Sequence, residues 1–406
     1  MSIQNPILIH PNTRRNGTTW LLAFFHFSHD LCLGILPALL PFIRNALDLD
    51  YLQTGGLLAA LIITTGFAQF LGGWLGDRFP HRLLIAIGVG GVGICTLITG
   101  LLGNYYSLIV VFVFMGLFGG LYHPSGIAML YGQTEAQQRG RAIASHMVGG
   151  SVGYFIAPIL GGVIATVMGW QATFMLLGVP ALLSIPLAII YLPRGDSRIT
   201  TKPIMNTISK AEVSWRPVIT MAIMAITMEI VTGVAIAFFA LFLVDIQSFT
   251  LGAATMWIGL LRGGGVVGSL LGGYFADRWG RRQSVVTAFF ASGPVLLSML
   301  YLTEASFLAM MFLFGLFNMM REAAVQVYLM DETPPHLRAR LIGVYFGFGQ
   351  GGLSLILPLG GYAMDNFGVM VVYVWLGATS AVISIFTLLL FSVGFKQTGR
   401  NQSLTE

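Results

Sequence analysis

Two histidines and an aspartate lie inside an apolar stretch of this sequence. The segment from Phe24 to Ile43 is long enough to cross a bilayer, yet it contains His26, His29 and Asp30. On a helix these three positions share one face, because they are separated by three and four residues. A charged group at mid-bilayer costs on the order of 3 kcal/mol and usually faces the interior of a helix bundle. Burial disfavours the charged forms of both carboxyl and imidazole, so this face is suited to taking up and releasing a proton.

Further ionisable residues lie in other apolar runs. Glu229 and Glu322 are the other candidates for proton coupling, together with the histidines and the aspartate above. The candidates for binding a substrate are Tyr122, His123, His146, Arg262 and Arg321. Arginine and histidine together favour an anionic or zwitterionic ligand over a purely cationic one.

Structural roles remain open for several of these residues. Arg321 and Glu322 are adjacent, so they point in different directions on a helix, and either could be a satisfied structural charge. His123 precedes Pro124, and its imidazole could bond the backbone that the proline leaves unpaired. His146 could pack or bond within its helix. Arg262 precedes three glycines, where helices approach closely, so it could be a structural counter-charge.

The composition is that of an integral membrane protein. Of 406 residues, 56% are hydrophobic and 9% are charged, against roughly 25% charged in a soluble domain. The net charge of +5 comes from basic residues in short, scattered segments, so we expect no nucleic-acid partner. Cys32 and Cys95 both lie in apolar runs and give no disulfide framework, and no cleaved signal peptide is expected.

Apolar runs of about twenty residues predict membrane-spanning helices. Twelve such runs occur, which predicts an all-α fold with two six-helix bundles. They are 18–44, 52–78, 82–102, 105–131, 140–167, 171–192, 216–245, 252–277, 282–302, 305–330, 337–365 and 369–395.

The connections between the runs alternate in charge. Most Lys and Arg residues lie at the termini, in the stretch 193–215, and in every second loop. The positive-inside rule therefore predicts that both termini and this stretch are cytoplasmic. The predicted domains are an N-terminal bundle (1–192), a cytoplasmic linker (193–215) and a C-terminal bundle (216–406).

The two halves repeat each other. GGWLGDRFPHR at 72–82 matches GGYFADRWGRR at 272–282, a shift of 200 residues. At a shift of 199, Asp30 corresponds to Glu229, Tyr122 to Arg321 and His123 to Glu322. A constant shift of half the chain indicates duplication of a six-helix unit. Transporters are among the membrane proteins built from such repeats, with a substrate site near the bilayer midplane.

The repeated loop resembles the signature of the major facilitator superfamily, G-x-L-A-D-R-x-G-R-R/K. The second copy fits the pattern more closely than the first, which has Pro80 and His81 where Gly and Arg are usual. The resemblance implies a gating role for Gly73, Gly76, Asp77, Arg78, Arg82, Gly273, Asp277, Arg278, Arg281 and Arg282. It also implies that spans one, four, seven and ten line a central cavity, and these spans carry most of the ionisable residues above.

A second motif points towards export. Gly153, Pro158, Gly161 and Gly162 in the fifth run resemble the antiporter motif G-x-x-x-G-P-x-x-G-G, with Ala157 at one glycine position. FSHD in the first run and YHPSG in the fourth resemble the fosmidomycin-resistance type of efflux carrier. Together these resemblances imply an antiporter in a cell inner membrane that confers multidrug efflux or antibiotic resistance.

The predicted function is secondary active transport, not catalysis. We expect proton-coupled export of a small amphiphilic, anionic or zwitterionic molecule by alternating access, by a monomer without a cofactor. An importer or uniporter of an organic anion on the same fold remains open, because fold alone sets neither direction nor cargo. A membrane metal carrier or metal enzyme is a remote alternative, since no HExxH motif occurs and no metal ligand is assigned. It would use His26, His29, Asp30, His123 and His146.

Overall fold

The computed structural model describes residues 11–134, 139–194, 215–279, 281–302, 304–333 and 338–393. Within these ranges the chain forms twelve helices and no strand. The helices are α1 Pro11–Leu47, α2 Tyr51–Gly76, α3 His81–Thr99, α4 Tyr105–Gln133, α5 Arg139–Tyr191, α6 Trp215–Ala237, α7 Phe239–Asp245, α8 Leu251–Trp279, α9 Arg281–Met299, α10 Glu304–Glu332, α11 Arg338–Phe367 and α12 Val369–Val393.

The helices agree with the predicted spans except at one place. The fifth and sixth predicted spans are the two parts of α5, which is broken between them at Gly169, whose φ of 88° and ψ of 162° are not helical. Glycine adopts this conformation without the steric cost that a Cβ would bring. The seventh predicted span is divided at Phe238 into α6 and the short α7.

The helices have the length and composition of membrane spans. Nine of those in the described ranges are long and apolar enough to cross a bilayer. Large apolar side chains such as Phe70, Leu101 and Val167 are exposed on their surfaces. Such exposure would be costly in water and is neutral against lipid. The chain is therefore a multi-pass membrane protein.

The chain consists of two compact units. Unit 1 comprises Met1–Leu36, Thr64–Ala157 and Val167–Asn206. In it, α5 packs against α1 with backbone close to backbone. A Cβ on Gly153 would lie 2.5 Å from the carbonyl oxygen of Phe27, and one on Gly149 would meet the carbonyl of Ala23. Small residues are what allow this approach.

Unit 2 comprises Pro37–Ile63, Pro158–Thr166 and Thr207–Glu406. Its core includes Met221 and Met228 of α6, Phe289 of α9, and Val325 of α10. Beside the division between α6 and α7, the Tyr373 hydroxyl donates a 2.7 Å hydrogen bond to the backbone oxygen of Ala235. Aromatic rings of α7, α10 and α12 pack around this point.

The predicted domain boundary remains a prediction. The linker 193–215 lies mostly outside the described residues, which omit 195–214. Unit 2 also contains the C-terminal part of α1, the N-terminal part of α2 and a short part of α5. Its limits in sequence are therefore not those of the predicted C-terminal bundle.

Candidate functional site

The first-half cluster consists of His26, His29 and Asp30 on α1, Tyr122 and His123 on α4, and His146 on α5, all in unit 1. Asp30 bridges the two histidines of its own helix: Oδ2 lies 3.2 Å from His26 Nε2 and Oδ1 lies 2.7 Å from His29 Nδ1. The carboxylate is 5% exposed, and the two imidazoles are 3% and 0% exposed. The prediction that these three residues share one interior face is confirmed.

Backbone carbonyls from neighbouring helices orient the imidazoles. His26 Nδ1 lies 2.9 Å from the carbonyl oxygen of His146, and His29 Nε2 lies 3.1 Å from that of Gly119. His146 Nδ1 lies 3.2 Å from the carbonyl oxygen of Leu22. A carbonyl oxygen only accepts hydrogen bonds, so the ring nitrogen facing it must carry the proton. The tautomers of all three histidines follow from these contacts.

The α4 residues close the cluster from another side. The Tyr122 hydroxyl donates a 2.9 Å hydrogen bond to the same carbonyl of Leu22. The His123 ring stands edge-on to the rings of His26 and His29, with centroids 5.1 and 4.8 Å away. Among the described residues the ring nitrogens of His123 have no hydrogen-bond partner, and neither has the buried Nε2 of His146. The structural alternative, in which His123 bonds the backbone freed by Pro124, is therefore not found among the described residues.

A glycine of α5 is also part of this cluster. A Cβ on Gly150 would lie 2.5 Å from both Asp30 Oδ2 and His26 Nε2. Gly150 therefore lets the α5 backbone lie directly against this contact. The available signal was its spacing: Gly150 follows His146 by four residues, which places both on one face of α5.

The second-half cluster lies in unit 2 and joins α6 to α10. Arg321 Nη2 donates to Glu229 Oε2 at 2.9 Å and to Asn318 Oδ1 at 3.0 Å. The Arg321 side chain is fully buried, and its guanidinium lies 5.5 Å from the ring centroid of Phe289. Its Nε and Nη1 have no hydrogen-bond partner in the described part of the chain.

A small recess borders this cluster and is lined by Glu229, Glu322, Tyr345, Gly349 and Gln350. Glu322 accepts a 3.2 Å hydrogen bond from Gln326 of its own helix. As predicted from their adjacency, Arg321 and Glu322 differ in environment, since Glu322 lines the recess while Arg321 pairs with Glu229. Arg262 is half-buried on α8.

The loop motifs are only partly described. The Arg78 guanidinium lies 3.6 Å from the ring centroid of Trp74, and Arg82 Nη1 donates to the carbonyl of Ile189 at 3.4 Å. Asp77 is exposed. Arg278 lies 5.3 Å from the ring centroid of Tyr274. The structure places Gly273 in α8 but does not describe its surroundings, nor the side chains of Asp277, Arg281 and Arg282, and a gating role for the loops stays a prediction.

The antiporter-like motif is shared between the two units. Gly153 packs on α1 within unit 1, as described above. Pro158, Gly161 and Gly162 belong to unit 2, where a Cβ on Gly162 would lie 2.8 Å from the carbonyl oxygen of Gly252. The motif thus serves close helix packing, and its role in setting the transport direction stays a prediction.

Sequence reasoning missed a polar cluster at the end of the helices opposite the motif loops. In unit 2, Arg44 of α1 and Tyr51 of α2 both donate hydrogen bonds to Asp245 of α7. Burial would raise the pKa of the Asp245 carboxyl, but these hydrogen bonds outweigh it and hold the pKa below its ordinary value. Only the charges of these loops were visible in the sequence, not their pairing.

Asp365 of α11 completes this second polar region. Its two carboxylate oxygens accept hydrogen bonds from the backbone amides of Tyr51 and Leu52, at 3.0 and 2.9 Å. These amides belong to the first turn of α2, where no intrahelical acceptor exists and the helix dipole is positive.

The first-half cluster also contains donors that suit a metal ion. His26, Asp30 and His123 each offer one ligand atom, and these atoms lie within 4.8 Å of one another. Around a zinc ion with bonds of roughly 2.0–2.1 Å the donors would be closer, so His123 would have to move inward.

The helices and the two ionic clusters are those of a multi-pass membrane protein with ionisable groups inside its spans, and the family match identifies this protein as a transporter rather than an enzyme. The comparisons give the family: the chain matches the Major Facilitator Superfamily over residues 22–352 and again over 221–406. The chain belongs to this superfamily, as its loop motifs predict.

Individual relatives are distant but cover nearly the whole chain. The MFS-type transporter YfnC of Bacillus subtilis is 23% identical over 377 residues, which is 87% of this chain and 89% of the relative. The multidrug resistance protein MdtG of Enterobacter lignolyticus is 21% identical, and the alignment covers 96% of this chain and 94% of the relative. Among solved structures, an inward-facing bacterial homologue of the human lysosomal transporter Spinster has a TM-score of 0.76 at 15% identity, covering 94% of this chain and 96% of that structure.

Proposed function

We propose that this protein exports a small amphiphilic molecule, anionic or zwitterionic, in exchange for protons by alternating access. The proposal places it in a bacterial inner membrane as a monomer with both termini in the cytoplasm. The observation that carries it is the buried Asp30 carboxylate, which contacts His26 and His29 on the interior face of α1. An ionisable group enclosed by apolar helices is costly unless its ionisation is used.

The second-half cluster supports the proposed charge of the substrate. Two carboxylates, Glu229 and Glu322, line the recess, whereas the buried Arg321 pairs with Glu229 and does not line it. A substrate ammonium group could pair with these carboxylates. A substrate carboxylate could reach Arg321 only if the contact between Glu229 and Arg321 opened.

The relatives support export. MdtG is a multidrug resistance protein by name and aligns with 96% of this chain. This agrees with the antiporter-like motif of α5.

Transport in everted membrane vesicles tests the proposal. An outward carrier in such vesicles takes up its substrate and releases protons, so each candidate compound is scored by proton release on addition. Asp30→Asn should abolish uphill transport and proton release while leaving the folded protein intact. Asp48→Asn is the matched control, because Asp48 is exposed and asparagine tolerates its positive φ of 50°. Uphill transport at the normal rate in Asp30→Asn would refute the proton role.

An importer or uniporter of an organic anion is distinguished by collapsing the proton gradient. An antiporter then loses uphill export, whereas a uniporter keeps its downhill flux.

The metal alternative is favoured by one observation, the proximity of donor atoms on His26, Asp30 and His123. Elemental analysis of protein purified without chelators tests it. Stoichiometric zinc or nickel that is lost in His123→Ala but kept in His81→Ala would establish a metal carrier; metal-free protein with wild-type transport would exclude it.

A further inference from the structure

Arg321 is a buried guanidinium with unpaired donors. Its side chain is 0% exposed, and its Nε and Nη1 have no hydrogen-bond partner among the described residues. Nη2 alone makes both of the contacts, to Glu229 Oε2 at 2.9 Å and to Asn318 Oδ1 at 3.0 Å. Buried N–H groups of a charged side chain are costly to leave unpaired. The free donors of Arg321 are therefore suited to an acceptor that a ligand supplies.

The geometry of the guanidinium shows how a carboxylate would bind it. The planar group offers its N–H donors in two pairs, one from Nε and Nη2 and the other from Nη1 and Nη2, and a carboxylate binds most strongly when it accepts from both members of a pair. Both pairs include Nη2, the nitrogen that Glu229 and Asn318 occupy. A carboxylate that accepts two hydrogen bonds from Arg321 must therefore displace one of these two residues from Nη2.

Glu229 is the residue that can leave. Asn318 lies three residues before Arg321 on α10, so the helix itself holds these two side chains together. Glu229 belongs to another helix, α6; its side chain is 19% exposed and lines the small recess. A Cβ on Gly349, which also lines the recess, would lie 3.7 Å from Glu229 Cγ. The glycine thus leaves space on this side, into which the Glu229 side chain can turn.

A displaced Glu229 needs a new cation, because a charge left alone inside the helix bundle is costly. Glu322, which lines the same recess, is another carboxyl group and cannot neutralise it. The other nearby guanidinium, that of Arg262 on α8, lies within electrostatic reach of Glu322 and already has contacts of its own. The ammonium group of a zwitterion would supply the missing positive charge, whereas a simple anion would not.

We infer that Glu229 is an internal occupant of an anion site on Arg321 and that a zwitterionic substrate displaces it. The substrate carboxylate takes Nη2 together with a neighbouring N–H, and the released Glu229 pairs with the substrate ammonium group. The exchange breaks one ion pair, forms two and moves no proton. Transport of the bound molecule rests on the proposed function, whereas the exchange rests on the contacts above. Of the two substrate classes proposed, anionic and zwitterionic, the exchange selects the zwitterion.

Chemical rescue tests whether Arg321 accepts a carboxylate from solution. Glu229→Ala removes the internal carboxylate and leaves a space that propionate fits. Thermal unfolding of this variant in detergent is followed with potassium propionate, with the neutral analogue propionamide and with potassium chloride. Propionate alone should raise the melting temperature, and it should have no such effect on Glu229→Ala combined with Arg321→Met. Equal effects of propionate and propionamide on Glu229→Ala would overturn the inference.

Three probes that share one benzyl group test the preference for a zwitterion. Phenylalanine carries both charged groups, 3-phenylpropionate lacks the ammonium group, and 2-phenylethylamine lacks the carboxylate. Their affinities follow from the rise in melting temperature that each causes in the wild-type protein. Phenylalanine should bind more tightly than either of the others. Binding of 3-phenylpropionate as tight as that of phenylalanine, or no binding of phenylalanine, would contradict the exchange.

Glu229→Gln is the matched variant, since it keeps the shape of the side chain, removes its charge and does not depend on the folding of Glu229→Ala. Without a carboxylate that competes for Arg321, 3-phenylpropionate should bind about tenfold more tightly than it binds the wild type, a change of about 1.4 kcal/mol. Binding of 2-phenylethylamine should weaken, because one carboxylate of the recess is gone. An unchanged affinity for 3-phenylpropionate would show that Glu229 does not compete for Arg321 and would refute the inference.

The outcomes for binding and transport separate. If the probes behave as expected but transport in everted vesicles ignores the proton gradient, the exchange at Arg321 stands and the proposed function fails. If the vesicles show proton-coupled export while phenylalanine and 3-phenylpropionate bind equally, the proposed function stands and this inference fails.

Discussion

Glu229 and Arg321 form an ion pair between α6 and α10, with Oε2 and Nη2 2.9 Å apart, in which Arg321 is fully buried and Glu229 partly so. The internal repeat relates these positions to Asp30 and Tyr122, which also lie together in one cluster of the other half. Duplication has therefore kept a polar contact between the first and fourth helices of each half while changing its chemistry. One half contains imidazoles around a carboxylate, and the other contains a guanidinium.

Removing one partner of the Glu229–Arg321 pair should lower the free energy of unfolding strongly, whereas replacing both partners should lower it little. Glu229→Met leaves a buried guanidinium without its carboxylate, and we expect a loss of about 3–5 kcal/mol in unfolding free energy. Glu229→Met combined with Arg321→Met should recover most of that loss, because no uncompensated charge remains. Thermal unfolding in detergent measures both. A double variant as unstable as the single one would show that the pair itself, rather than the orphaned charge, stabilises unit 2.

Gly150→Ala should disrupt the first-half cluster. The added methyl group would meet both Asp30 Oδ2 and His26 Nε2 at 2.5 Å, so α5 must shift or the contact must open. Overpacking of this kind costs about 1–3 kcal/mol. We expect lower thermal stability and loss of proton-coupled transport in vesicles. Gly66→Ala is the control, since a Cβ there meets nothing within 4 Å; equal effects of the two substitutions would contradict the proposed role of Gly150.

The contact between Arg44 and Asp245 should stabilise the protein in a defined pH range. The folded pKa of Asp245 is lowered from about 3.8, so its stabilisation is present above that value and is lost as the pH falls through the lower folded value. The pair is partly exposed, and Asp245→Asn should cost on the order of 1 kcal/mol. The melting temperatures of the wild-type protein and the Asp245→Asn variant should differ at pH 7 and converge in strong acid. A difference that grows on acidification would refute this sign.

Asp365 should anchor the start of α2. Asp365→Ala removes the acceptor of two backbone amides, those of Tyr51 and Leu52, and should cost about 0.5–2 kcal/mol, as loss of a helix cap does. Hydrogen exchange of these two amides should become faster in the variant. Unchanged exchange would mean that water or another group replaces the carboxylate without loss.

Much of the candidate site was predictable from particular residues. The spacing of His26, His29 and Asp30 placed them on one face, and the repeat paired Asp30 with Glu229. Three contacts could not be predicted from the sequence. The carbonyl of Gly119 that meets His29, the approach of Gly150, and the pairing of Arg44 with Asp245 all join residues far apart in the chain. Every residue has a backbone carbonyl, so the residue type does not show which carbonyl accepts a hydrogen bond. A glycine in the sequence likewise does not show whether it packs against a lipid-facing helix or against an ionic cluster.

The division of the seventh predicted span into two helices also could not be predicted from the sequence. Hydropathy cannot distinguish a continuous helix from one interrupted at Phe238, because both have the same apolar composition. The interruption lies where rings of α7, α10 and α12 pack together, and that packing exists only in the folded chain.

The amino-acid sequence by itself determined that the chain crosses a membrane repeatedly, that it is a duplicated transporter of the Major Facilitator Superfamily, and that ionisable groups lie within its spans. These properties follow from composition, period and motif, which are local or repeated in the chain. Only the tertiary structure decided which imidazole nitrogens carry protons, which carboxylate has a guanidinium partner, and where one helix approaches another closely. These depend on contacts of a few ångströms between distant segments, because proton positions follow from the geometry of acceptors that other helices supply.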